Sequence, residues 1–326
     1  MSERRKILIA LGAGALAAPL FAFAQQQSKI WRVGFLHVGY DHEPPSYRPL
    51  MAGMRELGYE DGRNIHYDFR NAADDADALQ LARALIQARA DVIVAFDNEA
   101  CAAARKATSS LPIVMINASN PIAGGFAQSL ARPGGNATGL STLGSGLVPK
   151  RIELIHELVP NARAVGLLYD SREPSARINR DAAVGAAKSR GLSIIEESVN
   201  LRDQLPAAFA ALKKKGAHML LVFEGSLGFS NRDLLLSLAA ANRLPALYAY
   251  PELPAEGGLM SYSVNNVEQF RRAAVFVDKI FKGTKPSDLP VEQPTRFELI
   301  VNMKTAKTLG IAFPQSILVR ADRVIE

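Results

Sequence analysis

One cysteine in 326 residues rules out an internal disulfide, so packed cores must hold this chain together. That cysteine, Cys101, lies in the alanine-rich "EACAAARKA" and reads as a small buried helix residue. Histidine is scarce too. The five sit at positions 37, 42, 66, 156 and 218, without the H-x-x-x-H or H-E-x-x-H spacing that lets one helix face hold zinc. No G-x-S-x-G nucleophile elbow occurs, because "GLSTLG" (from Gly139) lacks a glycine two places after its serine. A phosphate loop ending in Gly-Lys-Ser/Thr is absent. Beyond the N-terminal leader, no apolar run is long enough to span a bilayer. Carboxylates abound, but sequence alone assigns no pair of them to a cleft. Binding rather than catalysis is the expectation, with no cofactor, no metal and no catalytic residue.

What is present begins with an export signal. "MSERRKILIALGAGALAAPLFAFAQQQ" has a basic start, an apolar stretch from Ile7 to Phe21, and Ala22-Phe23-Ala24 before Gln25. That is the order of a secretory signal peptide, residues 1–24, cleaved near Ala24 to release a periplasmic protein. No cysteine follows the apolar stretch, which argues against a lipid anchor. Arg4-Arg5 also resembles a twin-arginine leader, so the export route stays open. "GAGALA" (Gly12 to Ala17) fits G-x-G-x-x-A, but no strand precedes it, and it is not a dinucleotide fingerprint. Removing the leader lowers the formal charge from +6 to +4, too mild to imply nucleic acid.

From Trp31 the chain alternates short apolar runs with amphipathic stretches. "WRVGFLH", "NIHYDF", "DVIVAF" and "LPIVMIN" read as strands, with helices between them. The pattern restarts with "RAVGLLYD", "LSIIEES", "AHMLLVFEG" and "LPALYAY", offset by about 130 residues. Nearly continuous apolar strands imply parallel sheets covered on both faces. The expectation is an α/β protein of two doubly wound parallel-sheet lobes of similar topology. "ARPGGNATGLST" reads as a tight turn and a strand leading from one lobe to the other. "GGLMSYSVN" crosses back ahead of the amphipathic helix "VEQFRRAAVFVDKIFKG", and the proline-rich "TKPSDLPVEQP" makes a third crossing. The expected lobes are residues 30–142 plus 262–288, and 143–261 plus 289–326, with a cleft at a three-segment hinge.

Several spaced motifs then match a known pattern: "SNPIAGGFAQSLARPGGNATG", "LPALYAYPELPAEGGLMSY", "RRAAVFVDKIFKGTKPSDLPVEQPTRFELIVNMKTAKTLGI" and the final "RADRVIE". Together, over Arg32 to Glu326, they resemble the ABC-transporter substrate-binding proteins related to the tryptophan/tyrosine-binding TrpX type. The resemblance implies a type I periplasmic-binding, Venus-flytrap architecture. It also implies capture of a small, amino-acid-like solute and its delivery to an ABC permease driven by an ATPase subunit. The expected partners include no nucleic acid, and the expected unit is a monomer. A ligand-sensing receptor without its own transporter is the alternative. A cytoplasmic repressor core of the same fold is disfavoured by the leader and by the lack of a helix-turn-helix. One turn departs from the family. Relatives carry a small neutral turn after the third strand, whereas this chain has "FDNEA", whose two acids would repel a ligand carboxylate. A ligand amine, a hydroxyl-rich solute or a cationic group suits that corner better.

Ligands of open α/β sheets bind beyond the C-terminal ends of the strands. That rule selects His37, Gly39 and Tyr40; Asp97, Asn98 and Glu99; and Asn117, Ala118 and Ser119 in the first lobe. In the second it selects Asp170 and Ser171; Glu224 and Gly225; and Tyr248 and Tyr250. Each has a structural alternative. Asp97, Asn98 or Glu99 would cap the following helix, Asn117 and Ser119 would satisfy turn amides, His37 would end a strand, and Tyr248 would face the core. Asp170 and Glu224 would complement helix dipoles.

Overall fold

The computed structural model describes residues 29–39, 47–173, 175–225, 228 and 230–326. The expected signal peptide and Tyr40 lie outside the described residues. The first sheet contains β1 (Trp31–Val38), β2 (Ile65–Ala72), β3 (Val92–Phe96), β4 (Ile113–Ala118) and β5 (Ala137–Ser141). Their order is β2-β1-β3-β4-β5, and every pair is parallel. The second sheet repeats that order with β6 (Ala164–Tyr169), β7 (Ser193–Ser198), β8 (Met219–Val222), β9 (Ala246–Tyr248) and β10 (Met260–Val264), arranged β7-β6-β8-β9-β10. It then gains β11 (Phe297–Asn302), antiparallel to β10, and β12 (Arg323–Ile325), parallel to β11.

Helices cover both faces of each sheet, and strand alternation decides which residue meets which layer. In β3, Val92, Val94 and Phe96 join the core beneath α1 (Tyr47–Glu56), while Ile93 and Ala95 join the core beneath α2 (Asp75–Gln87) and α3 (Asp97–Ala107). Asp74 caps α2, its Oδ1 accepting from the amides of Ala76 and Asp77 at 2.9 Å. In the second lobe α4 (Val148–Leu158) and α5 (Ala176–Lys188) cover one face, with α6 (Leu205–Lys214) and α7 (Arg232–Ala241) on the other.

The fifth strand of each lobe hands the chain to the opposite lobe. After β5 the chain enters α4, whose Val148, Ile152 and Ile155 are fully buried in the second lobe. After β10 it enters α8 (Asn266–Phe281), whose Phe270, Ala274 and Val277 are fully buried in the first. The remaining helices, α9 (Met303–Leu309) and α10 (Gln315–Arg320), pack on the second lobe through Ala306 and Ile317. Two expected boundaries move. Position 262 falls inside β10, which pairs with β9 and β11 and so belongs wholly to the second sheet. Leu289 to Glu292 stays with the first lobe, since the Leu289 carbonyl accepts from Thr138 Oγ1 at 2.6 Å and the Glu292 amide donates to Gly139 at 2.9 Å. The third crossing therefore falls within 293–296 rather than at 288.

Glycine at 139 is required by this seam. Its φ is +133°, and a Cβ there would lie 2.2 Å from the Met115 carbonyl oxygen. Phe270 anchors α8 by stacking on Phe96 with ring centroids 5.1 Å apart. Phe270→Ala is expected to lower unfolding stability by about 3–5 kcal/mol, the usual cost of emptying a fully buried aromatic site. Urea denaturation checks this, and a loss below about 1 kcal/mol would show that α8 is not part of the first lobe's core.

Candidate functional site

Because all five repeated strands of each lobe run parallel, their C-terminal ends collect on one side of each sheet, and the two sides face each other. Between them lies a cavity. The first lobe contributes Phe96 at the end of β3, Asp97 just after it, Asn117 from β4 and Thr142 after β5. The second contributes Glu224 after β8, Ala249 to Glu252 after β9, and Ser263 and Val264 from β10, with Asn266 at the start of α8. The walls stand close, leaving about 20 Å³ open to a water-sized sphere, enough for roughly one water molecule.

Polar side chains tie the lobes together across this cleft. Asn98 is buried; its Oδ1 accepts from the Ser119 amide at 2.9 Å, and its Nδ2 donates to Glu173 Oε2 of the opposite lobe at 3.1 Å. Asn117 Nδ2 donates to Asn266 Oδ1 at 2.7 Å, and Asn266 Nδ2 in turn donates to Glu252 Oε1 at 2.7 Å. Asp97 and Asn117 both adopt left-handed backbone conformations, with φ of +69° and +59°. Strained non-glycine residues of this kind concentrate where a side chain must be aimed at a site.

The electrostatics are one-sided. Burial pushes the Asp97 carboxyl well above the usual carboxylate range, reinforced by the negative charges of Glu99, Glu173, Glu252 and Glu224. Burial also raises Glu173, with Glu99 adding to the shift, and it raises Glu252. The counter-charge is Arg151 of α4, which is fully buried; its Nη2 donates to Glu224 Oε1 at 2.7 Å and its Nε to the Tyr262 carbonyl at 2.9 Å.

The expected site residues fall into three groups. Asp97, Asn117, Glu224 and Tyr250 line the cavity. The Tyr250 hydroxyl donates to the Gly225 carbonyl, so its ring rather than its hydroxyl faces the space. Glu99 and Gly225 meet at the cleft: a Cβ on Gly225 would stand 3.9 Å from Glu99 Oε1 and 3.5 Å from Glu173 Cγ. Asn98 and Ser119 form the strut already described. The third group stands away from the cavity. His37 is buried behind Asp97, with Nε2 3.8 Å from Asp97 Oδ2 and its ring edge on Phe96, and burial pushes its pKa well below the ordinary value. Gly39 donates its amide to Ala72, Ala118 packs into the core under α2 and α3, and Asp170 forms a paired contact with Arg172 at 2.6 Å, with Ser171 beside Asn200. Tyr248 is the correction among the aromatics. It is 1% exposed and packs in the core under α6 and α7, because alternation along β9 puts Leu247 on one face and Tyr248 on the other. The helix-capping alternative for the acidic turn is also not what forms: the N-cap of α3 is Phe96, with no side-chain cap. Sequence reading missed Glu173, Glu252, Asn266 and Arg151. Glu173 and Glu252 lie only a few residues past strand ends, so a wider window at each end would have caught them. Arg151 sits in an ordinary-looking charged helix and gave no signal.

The sequence pattern of a family described as ABC transporter substrate binding protein matches residues 42–325. The chain belongs to that family. It is similar to a tyrosine-binding protein of Clostridioides difficile, 28% identical over 263 residues, which cover 80% of this chain and 75% of that protein. It also resembles the structure of an ABC domain in complex with L-Trp from Streptococcus pneumonia, with a TM-score of 0.84, 25% identity and coverage of 91% of this chain and 100% of the other. A ligand-free, open substrate-binding protein from Clostridium difficile gives 0.65 at 26% identity, covering 91% of this chain and 99% of that one. Asn98 reaches Glu173 across the cleft and the walls leave about 20 Å³ between them, so the lobes of this family member stand close together and a solute needs them to part.

Closing the lobes brings the raised carboxyls together, which sets a pH dependence. A carboxyl whose folded-state pKa is raised contributes stability that is fully present below its ordinary value and is lost as pH rises through the raised value. For Asp97, Glu173 and Glu252 that window runs upward from about 4. The melting temperature of the ligand-free protein is therefore expected to rise as pH falls from neutral towards 4.5, and Asp97→Asn to flatten the rise. Glu196 and Glu292, held low by hydrogen bonds from Arg180 and Arg272, act in the opposite direction only below that window, whereas His37, kept neutral by burial, opposes the three carboxyls within it, below about 6.5, and offsets part of the rise. Equal slopes in wild type and variant, by differential scanning fluorimetry, would exclude Asp97 as a source.

Proposed function

We propose that this protein is the extracytoplasmic solute-binding component of an ABC importer. It captures a small, amino-acid-like solute between its lobes and presents the closed form to a membrane permease worked by an ATPase subunit. The observation that carries this reading is the cavity built only from strand ends and crossing segments of both lobes, joined to a family whose relatives include a tyrosine-binding protein and a tryptophan-bound structure. Among the described residues no helix is long and apolar enough to cross a membrane, in keeping with a carrier that leaves membrane passage to its partner. Export through the N-terminal leader and work in the periplasm as a monomer complete the proposal. The part played by this chain makes and breaks no covalent bond.

Mechanistically, Asp97, Glu99, Asn98 and Asn117 belong to one lobe, and Glu173, Glu224, Tyr250 and Glu252 to the other. A solute touching both sets gains contacts that neither lobe offers alone, and so shifts the population towards the closed form. Small-angle scattering tests this directly. A bound solute is expected to reduce the radius of gyration of protein freed of ligand by unfolding and refolding. An unchanged radius at a concentration that saturates a thermal-shift signal would refute binding by closure.

A further inference from the structure

The cavity's chemistry narrows what the solute can be. Among its described lining residues are three acids, Asp97, Glu224 and Glu252, and no lysine, arginine or histidine. Arg151 balances one of them and does not itself line the space. The buried polar atoms of the lining that lack a hydrogen-bond partner are all acceptors. Glu224 Oε2 and Glu252 Oε2 are two, and Asn117 Oδ1, on a side chain nine-tenths buried, is the third. Buried polar groups in native proteins are satisfied, so an occupant that completes this site supplies hydrogen-bond donors. The charges acting on Asp97 are all negative, and Glu252 shares the charge of Arg232 with Glu256, so an occupant that offsets these two carboxylates carries positive charge.

A carboxylate on the solute would find no such welcome. Among the described residues, the helix N-termini of α3 and α8 open onto the cavity, and each already has acids in its first turn: Asp97 and Glu99 in one, Glu268 in the other. The positive end that would attract an anion is thus met by the protein's own side chains. Nor do the acids converge as metal ligands do: among the described residues no three histidine, cysteine, aspartate or glutamate side chains are grouped to hold an ion. Acids spread over two walls suit a molecule with its charge on amino groups set apart along a chain.

We propose that the solute is a small organic cation bearing amino groups and no carboxylate, with an aliphatic diamine the best match to the two unbalanced acids. This rests on the solute-capture part of the reading above and replaces its amino-acid-like solute with an amine that lacks the carboxylate. The cation also becomes the agent of closure. Without it, Asp97 and Glu99 of one lobe oppose Glu173, Glu224 and Glu252 of the other; with it, each wall is drawn to the charge between them.

The test uses matched pairs that differ by one carboxylate: putrescine with ornithine, and tyramine with tyrosine. Thermal shift and isothermal titration calorimetry on the refolded protein are expected to show at least one amine binding about 30-fold or more tighter than its amino acid, the low end for a desolvated charge left unpaired. Asp97→Asn and Glu252→Gln should each weaken that amine by a similar factor, and either variant suffices if the other does not fold. An amino acid that binds as tightly as its amine, or tighter, overturns the proposal while leaving solute binding intact. Silence from both amines overturns it as well. Solute binding itself falls only if amino acids, sugars and nucleosides also leave melting temperature and radius of gyration unchanged.

Discussion

Parallel strands all end on the same side, and this constraint shapes the rest of the molecule. Both five-strand runs use the order of a doubly wound sheet, so each presents its loops along one edge. The crossings after β5 and β10 then hold these edges face to face, since each fifth strand feeds a helix rooted in the other lobe's core. The cavity is what remains between two loop-bearing edges. Nearly every lining residue lies within a few positions of a strand's C-terminal end, and Asn266 sits where the chain crosses back.

Facing edges bring polar side chains close with little water between them, and the protein's response is asymmetric. Amide side chains make the neutral struts: Asn98 to Glu173, Asn117 to Asn266, and Asn266 to Glu252. Charge is another matter, because five carboxylates from both lobes share the region with Arg151 as the paired cation. A buried, unbalanced acid is costly, and here the acids sit on opposite sides of a hinge. Opening relieves the repulsion, while protonation or a cation removes it. The cluster therefore belongs to the moving part of the fold. The stabilising cores lie in the layers around Phe35, Phe270, Leu167 and Phe209.

Much of this was legible residue by residue. The buried strands "VIVAF" and "MLLV" announce themselves as apolar runs, and the similar phrases around Pro112 and Pro245 point to the repeated topology. The acidic turn stood out because helix starts and charge can be read locally. The exact crossings were less legible, because whether Tyr262 and Leu289 belong to one lobe or the other depends on hydrogen bonds to strands distant in sequence. Tyr248 and Tyr250 show the same limit at finer scale. Two residues apart, they differ because β9 ends between them: Tyr248 lies in a pleat within the core, and Tyr250, packed on the same core, also reaches the cleft wall with its hydroxyl on the Gly225 carbonyl.

By itself the sequence determined the α/β class, the two lobes of similar topology, the three crossings and the strand ends at which a ligand would be met, because apolar periodicity and turn chemistry are local properties. Only the tertiary structure decided which of those strand-end residues converge. It set Glu252 and Asn266 beside Asp97, took His37 and Tyr248 out of the wall, and buried Arg151 behind Glu224. The physical reason is that convergence depends on the relative placement of two lobes joined at a hinge, and that placement comes from packing between elements more than a hundred residues apart.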